Sequence, residues 1–262
     1  MADPIGLWSN GRDLEEENSV QQRYYYVAEH NDLITKARHD LTVQELKIMD
    51  YVISMIKPSD TELHVINTSM NKIINVLDLK RSGGTYNQIA KNLASLRQKS
   101  VYIYNEEEKS VTMTGWLERA KVWEEGQVEV RINPDFAPYL LELKENYTQH
   151  LLQDTVKLSS KYAILLYKLM READKSYGQK IAILAGTPEE FKEWLGAPES
   201  YAWKHLRVEV IEKAIKQINE RIDDMDLEMF TAKKGRRIAF VEIHNKFTRK
   251  GRPEKPDHQR AL

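Results

Sequence analysis

Two stretches of similar pattern decide the fold: LTVQELKIMDYVI at residues 41–53 and LSSKYAILLYKLM at residues 158–170. Both have the apolar spacing of one face of an α-helix. In the first, the apolar positions are Leu46, Met49, Val52, Ile53 and, just beyond the stretch, Ile56. Thr42 and Glu45 add a capping box at the start of this helix. Each stretch is therefore predicted to be a helix that opens one half of the chain.

The same order of elements follows each stretch. In the first half, the pattern predicts a strand at 63–66, a helix at 69–77, a break at Gly83-Gly84, a helix at 86–98, and β-segments at 101–105, 111–116 and 128–132. In the second half, it predicts a strand at 181–184, a helix capped by Thr187 and Glu190, a long helix at 203–222, and a hairpin at 227–230 and 238–243. Helix, short strand, helix, helix and hairpin is the order of a winged helix, a variant of the helix-turn-helix.

We therefore predict an α+β fold of two tandem winged-helix domains, related by internal duplication, joined by a helical connector and built on two separate cores. Such an order can also arise by chance in an α+β chain, but two copies favour duplication. The predicted ranges are a flexible leader at 1–22, a first winged-helix domain at 23–137, the connector at 138–154, a second winged-helix domain at 155–248, and a basic flexible tail at 249–262.

The charge is unevenly divided along the chain. The 262 residues have a net charge of −1, but residues 1–150 contain 17 basic and 23 acidic residues, whereas residues 151–262 contain 22 and 17. A basic half indicates a polyanionic partner such as DNA, although a solvated basic tail is the alternative.

The chain has no cysteine, no apolar run near the ~18 residues of a membrane span and no apolar signal segment. These features predict a cytoplasmic protein without a membrane partner.

Motifs for enzymatic chemistry are missing from the sequence. There is no phosphate-binding G-x-x-x-x-G-K-[ST] loop, no glycine-rich dinucleotide fingerprint and no H-E-x-x-H zinc motif. The seven histidines are scattered, and none forms a His-apolar-His pair. We therefore predict no enzymatic activity, no metal and no cofactor. A nuclease built from dispersed carboxylates stays open as an alternative.

The basic residues of the second half define the main candidate DNA-binding site. In a helix-turn-helix, the N-terminal part of the recognition helix enters the major groove, and this part supplies Tyr201, Lys204, His205 and Arg207. An ordinary solvated helix face is the alternative, and Trp203 is expected in the core. The hairpin turn, or wing, places four cations around Gly235: Lys233, Lys234, Arg236 and Arg237. In the tail, Arg249 and Lys250 follow the DNA backbone or are merely solvated.

The first half supplies a weaker candidate surface for DNA. Its predicted third helix and flanks contain Arg81, Asn87, Lys91, Arg97 and Lys99. Its hairpin is acidic, with Glu106–Glu108, Glu124 and Glu125, and does not suit DNA. We expect this half to touch phosphates weakly and to give its β-surface to another protein chain. Trp116 and Trp123 would suit that interface if exposed, although burial is the default.

The chain resembles the replication initiators of iteron plasmids, the superfamily with two tandem winged-helix domains. The resemblance covers about residues 24–247. It rests on VAEHNDLI at 27–34 leading into the first helix, on Ile132-Asn133-Pro134 before a leucine-rich segment, and on LSSKYAILLYKLM.

The resemblance implies a function without nucleotide or metal chemistry. Such proteins bind direct repeats, called iterons, at a plasmid origin as monomers, and repress their own promoter as dimers. They help to melt an A·T-rich segment and recruit host replication proteins such as the replicative helicase. Their second domain does most of the sequence reading, while the first makes the homodimer and also touches DNA. By position, their major-groove helix falls on residues 203–222.

Two other classes of protein stay open at this point. A winged-helix transcription repressor without a replication role would share most of these features, and direct repeats beside the gene would favour the initiator. A DNA-nicking enzyme is the other alternative, and nicks in supercoiled origin DNA would favour it.

Overall fold

The structure is a computed structural model that describes residues 21–105, 108–174 and 181–247. The first unit runs from β1 to α6. Its elements are β1 (Tyr26–His30), α1 (Asn31–Thr35), β2 (Ala37–His39), α2 (Val43–Ile53), β3 (Ile66–Ser69), α3 (Met70–Val76), α4 (Gly83–Gln98), β4 (Ser100–Asn105), β5 (Ser110–Gly115), β6 (Leu117–Val122), β7 (Gln127–Ile132), a 3₁₀ turn (Pro134–Phe136), α5 (Ala137–Leu140), β8 (Tyr147–Leu151) and α6 (Leu152–Lys157).

The second unit runs from α7 to β11. Its elements are α7 (Lys161–Ala173), β9 (Ala182–Gly186), α8 (Pro188–Trp194), a long helix α9 (residues 203–221), β10 (Leu227–Lys234) and β11 (Arg237–Asn245). The helix α9 is α-helical at both ends and π-helical between, over Leu206–Glu212.

The predicted duplication of the winged helix is confirmed by the sheets. In the first unit, the strand order is β3-β7-β6, and in the second it is β10-β11-β9. In both units, a short strand (β3 after α2, and β9 after α7) pairs antiparallel with the second strand of the hairpin (β7 and β11). Both predicted capping boxes are also present, at Thr42 with Glu45 and at Thr187 with Glu190. The α+β fold class is therefore confirmed.

The hairpin of the first unit differs from the prediction. Its wing is β6–β7, whereas β4 and β5 form a separate hairpin that pairs with β2. The chain passes from one sheet to the other at Trp116, whose ring is buried and stacked on Phe136 with centroids 5.0 Å apart. Trp116 therefore belongs to the core and not to an exposed interface.

Two boundaries in the first unit were also predicted wrongly. The short strand is Ile66–Ser69 and not 63–66. Gly83 and Gly84 do not break the chain before α4; they are its first two residues. The reason is Ser82, whose hydroxyl accepts a hydrogen bond from the backbone N–H of Thr85 at 3.1 Å and caps the helix.

The predicted helical connector at 138–154 is wrong in its central part. The chain there forms β8, which pairs antiparallel with β1 from Tyr26↔Leu151 to His30↔Tyr147. Along β8 the buried residues alternate, with Thr148 and His150 inward, which is the period of a strand. This ribbon of β1 and β8 closes the first unit by joining its two ends.

The predicted leader at 1–22 lies mostly outside the described residues, but its last two are ordered. Gln21 and Gln22 are helical and Gln22 is buried. The following residue, Arg23, pairs with Asp78 at 3.0 Å. The flexible segment therefore cannot extend to residue 22.

The expectation of two separate cores is wrong, because the buried residues of both units form one continuous core. The helix α7 joins them, packing on α1 and α2 of the first unit and on α9 and β9 of the second. Its buried Lys168 places Nζ 2.6 Å from Asp50 Oδ1 and 2.9 Å from Glu29 Oε1. His150 Nε2 lies 3.7 Å from the other oxygen of Asp50. We call these four residues the Lys168 cluster.

The charges of the Lys168 cluster stabilise one another. Burial alone would raise the pKa of Asp50, but the charge of Lys168, its hydrogen bond to Asp50 and the neighbouring His150 outweigh it and hold this pKa at about 2. Burial also opposes the ammonium form of Lys168, yet Asp50 and Glu29 raise its pKa above the usual value. The joint between the units therefore depends on one cation that neutralises two buried carboxylates.

Replacing Lys168 by methionine is expected to lower the free energy of unfolding at pH 7 by about 3–5 kcal/mol, because two carboxylates stay buried without a cation. In the wild type, ionised Asp50 stabilises the native state above pH 3.8, and this contribution is lost as the pH falls toward 2. In the variant, the native state takes up protons more readily than the unfolded state. The difference in the free energy of unfolding between the wild type and the variant is therefore expected to be smaller at pH 5 than at pH 7.

Urea unfolding at both pH values measures these differences. Lys216→Met is the control, because Lys216 is an exposed lysine on α9 that pairs only loosely with Glu220, at 3.8 Å. The control should change the free energy of unfolding by less than about 0.5 kcal/mol. A Lys168→Met variant as stable as the control would contradict the role given to this cation.

Candidate nucleic-acid interface

The long helix α9 presents a charged face to solvent and an apolar stripe to the core. The stripe consists of Leu206, Val210, Ile211, Ala214 and Ile218. Three of the predicted residues on its N-terminal part are exposed, namely Lys204, His205 and Arg207. Lys204 and Arg207 are three residues apart and therefore share one face of the helix, whereas His205 projects to the adjacent side.

The aromatic residues at the start of α9 have mixed roles. Tyr201 is half-buried and packs against the core, with its ring centroid 5.8 Å from that of His205. Trp203 is also half-buried against the core, as expected from the sequence. Tyr201 therefore packs on the core and lies beside the ring of His205.

Ion pairs order the charged face of α9. Arg207 Nε donates to Glu212 Oε1 at 2.7 Å, a spacing of five residues that fits the i→i+5 repeat of the π-helical segment. Lys213 pairs with Glu209 one turn away. Since exposed ion pairs of this kind contribute at most ~1 kcal/mol, Glu212 holds Arg207 in place without preventing its transfer to another acceptor.

The wing of the second unit gathers the other four predicted cations. Lys233 and Lys234 end β10, Arg236 and Arg237 follow the turn, and all four are exposed. Gly235 makes the turn at φ +65°, a conformation that favours glycine. Within the part of the chain that the structure describes, no carboxylate lies within 4.0 Å of these cations as an ion pair. A bound anion such as a phosphate would relieve their mutual repulsion.

The predicted residues of the first unit are divided by the structure. Asn87, Lys91 and Arg97 are exposed on α4. Arg81 lies just before α4, where its Nη2 donates to Asn75 Oδ1 at 2.9 Å. These residues can still meet a phosphate.

Lys99 is held inside the first unit. Its Nζ lies 2.9 Å from Glu45 Oε2 and also donates to the carbonyl of Asp40. Burial opposes ionisation of Glu45, but hydrogen bonds from Ser95, Thr42 and Lys99 hold its pKa below the usual value. Lys99 therefore supports the capped start of α2, a role that its position in the sequence did not reveal.

Sequence reasoning missed the cations on the wing of the first unit. Lys121 Nζ lies 4.4 Å from the ring centroid of Trp123 at the wing tip. Farther along, Arg119 pairs with Glu129, and Arg131 pairs with Glu118 at 3.1 Å. The wing is thus balanced in charge and not simply acidic. The alternation in LERAKV at 117–122 is broken by a register shift between Leu117 and Arg119, so the sequence offered only a weak signal for this strand.

Three further expectations concern residues or features that the structure describes only in part. Arg249 and Lys250 lie outside the described residues. In the described ranges 21–105, 108–174 and 181–247, no group of three or more His, Asp or Glu side chains is arranged to hold a metal ion. No helix in those same ranges is long and apolar enough to cross a membrane.

The fold and the exposed cations define a tandem winged-helix protein whose second unit presents its charge on a helix and a wing. Two family models match the chain: "Initiator Replication protein, WH1" over residues 26–171 and "Initiator Rep protein, WH2" over residues 187–245. These matches cover most of the sequence. The chain belongs to this family of initiator replication proteins.

A solved structure shows the same fold. The Pi initiator protein in complex with iteron DNA superimposes with a TM-score of 0.69 and 16% identity, covering 87% of this chain and 99% of that chain. Domains 2 and 3 of RctB match with a TM-score of 0.45 and 10% identity, over 83% of this chain and 81% of that chain.

Replacing Lys233 and Lys234 together by alanine is expected to flatten the salt dependence of duplex DNA binding. Each lost phosphate contact reduces the slope of log K against log salt by about 0.9, so the slope should fall by up to about 1.8. Preference for a specific sequence should persist, because phosphates carry no base information.

Lys246→Ala is the matched control for this measurement. Lys246 lies at the opposite end of the same hairpin, between Glu228 at 3.1 Å and Asp226 at 3.9 Å. Hydrogen bonding and charge attraction from these carboxylates raise its pKa. An unchanged slope in the double variant, or the same change in the control, would show that the wing does not contact phosphates.

Proposed function

We propose that this initiator binds direct repeats (iterons) in double-stranded DNA at a plasmid replication origin, mainly through its second unit. The observation that carries the proposal is the pairing of an exposed basic helix end with four unpaired wing cations in the second unit. The structure of Pi, a protein of the same fold, is a complex with iteron DNA, and this supports the choice of ligand.

The two parts of the second unit have different tasks in this proposal. The N-terminal part of α9 enters the major groove, where Arg207 donates in bidentate fashion to guanine and Lys204 supplies a point charge to guanine or phosphate. His205 and the hydroxyl end of Tyr201 contact the edge of the same groove. The wing cations follow the phosphates or the minor groove beside it, and in the first unit Asn87, Lys91, Arg81 and Arg97 add phosphate contacts.

The first unit also supplies a homodimer, which is in equilibrium with the monomer in our proposal. The outer face of the β4–β5 hairpin exposes four large apolar side chains: Tyr102, Tyr104, Val111 and Met113. Tyr102 is the cross-strand partner of Met113, and Tyr104 is that of Val111, so they form one contiguous patch. A second copy covers this patch, and the dimer represses the promoter of its own gene.

Initiation in this proposal requires binding alone and no bond breaking by the protein. Bound copies distort the duplex, help to open the origin, and recruit host replication proteins such as the replicative helicase, in the cytoplasm. No metal or nucleotide cofactor takes part. The proposed work of opening comes from the free energy of DNA binding and bending.

Footprinting on the DNA that flanks the gene tests the proposal. We expect protection of several direct repeats about two helical turns apart by the wild type, and loss of protection for the Lys233→Ala, Lys234→Ala double variant at raised salt. Supercoiled origin DNA incubated with the protein and Mg²⁺ or Mn²⁺ should stay unnicked. Protection of a promoter operator alone would instead indicate a repressor, and nicks would indicate an enzyme.

Tyr104→Ser is expected to weaken the dimer by about 5-fold or more, since removing an aromatic hot-spot residue from an interface centre costs above ~1 kcal/mol. Sedimentation equilibrium measures the dissociation constant. Phe230→Ser is the control, because Phe230 is an aromatic residue of similar exposure, 43% against 47% for Tyr104, on the sheet of the second unit. A dimer weakened only by the Phe230 substitution would place the interface on the second unit.

A further inference from the structure

The recognition face of α9 contains one apolar side chain that the fold does not use. Val208 is 40% exposed, and it is the large hydrophobic residue of residues 203–221 that lies most open to solvent. The other apolar side chains of this helix are buried or pack against the core. A β-branched residue is also a weak helix former, so neither packing nor helix propensity explains a valine at this position.

Val208 occupies the middle of the predicted reading surface. It follows Lys204 by four residues and so lies on the same face of the helix. It is flanked by the ion pair of Arg207 with Glu212 on one side and by that of Glu209 with Lys213 on the other. These pairs order the polar side chains around the isopropyl group and leave it as an apolar spot in a charged surface.

The backbone at Val208 is unusual as well. It lies within the π-helical segment Leu206–Glu212, and π-helical segments are rare and often occur at functional sites. The wider turn inserts a residue between the start of α9 and its C-terminal half. Leu206 and Val210, four residues apart, are buried on one face, and Val208, midway between them in the chain, faces outward.

We propose that Val208 reads a thymine by packing its isopropyl group against the C5-methyl group of that base in the major groove. Thymine is the base that presents a methyl group there, whereas the other three present polar edges. An apolar spot of this size between ordered polar side chains fits that methyl group and disfavours the amino group of cytosine, which would lose hydrogen bonds to water. This assignment rests on the proposed function. It extends that proposal by specifying that one base of each repeat is a thymine in contact with Val208.

The experiment is a scan in which each thymine of one protected repeat is replaced in turn by deoxyuridine, which lacks only the methyl group. For the wild type, we expect affinity to fall about 4-fold at the thymine read by Val208, the effect of one buried methyl group. For Val208→Ala, the affinity for the unmodified repeat should fall by a similar factor, and the difference between thymine and deoxyuridine should disappear at that position alone. Alanine favours the helix, so the variant is expected to fold.

Val65→Ala is the matched control, since Val65 is an exposed valine of the first unit, 38% accessible, away from α9. The loss of affinity at each deoxyuridine position should be the same for Val65→Ala as for the wild type. If Val208→Ala binds the repeat and retains the full deoxyuridine profile, the assignment of Val208 is overturned while the proposed function stands. If the wild type protects no repeat at all, the proposed function fails, and this assignment fails with it.

Discussion

The ion pairs of Lys168 are the constraint on which the arrangement of the two units depends. Lys168 belongs to the first helix of the second unit, whereas Asp50 and Glu29 belong to α2 and β1 of the first. Because an unpaired charge is costly in a buried environment, these side chains specify one register between the units. Farther along α7, Arg171 donates to both oxygens of Asp224 at 2.6 Å and so fixes the helix to the second unit. One helix thereby orients the two units relative to each other.

The two winged-helix units share one fold but differ in how many of their basic side chains are paired with carboxylates. In the first unit, Lys99, Arg119 and Arg131 are paired with carboxylates of their own unit, so less of their charge is available to an external anion. In the second unit, the wing cations have no such partner among the described residues. The two units therefore have similar winged-helix folds. Because its wing cations are not paired with carboxylates, the second unit is the stronger candidate for contact with DNA.

Sequence reasoning predicted the elements whose signals are local. Capping at Thr42 and Thr187 and the turn at Gly235 depend on a few neighbouring residues, and the structure has all three. It failed where distant pairing decides the outcome: β8 is a strand because β1 lies beside it, although Leu140, Leu143 and Leu151 suggested one helical connector through this segment. The charge of the candidate site was readable from composition, but the pairing of Lys99 with Glu45 was not, because these residues are far apart in the chain.

The pairing of β1 with β8 has a consequence for folding during translation. Tyr26 leaves the exit tunnel long before Leu151, its cross-strand partner, is synthesised. The N-terminal strand therefore has only water as a hydrogen-bond partner along this edge until more than half of the chain has been translated. The first unit can therefore complete its fold only after the segment that leads into the second unit has been translated. An mRNA truncated before the codon for residue 147 would yield a chain in which β1 is an open sheet edge, prone to aggregation.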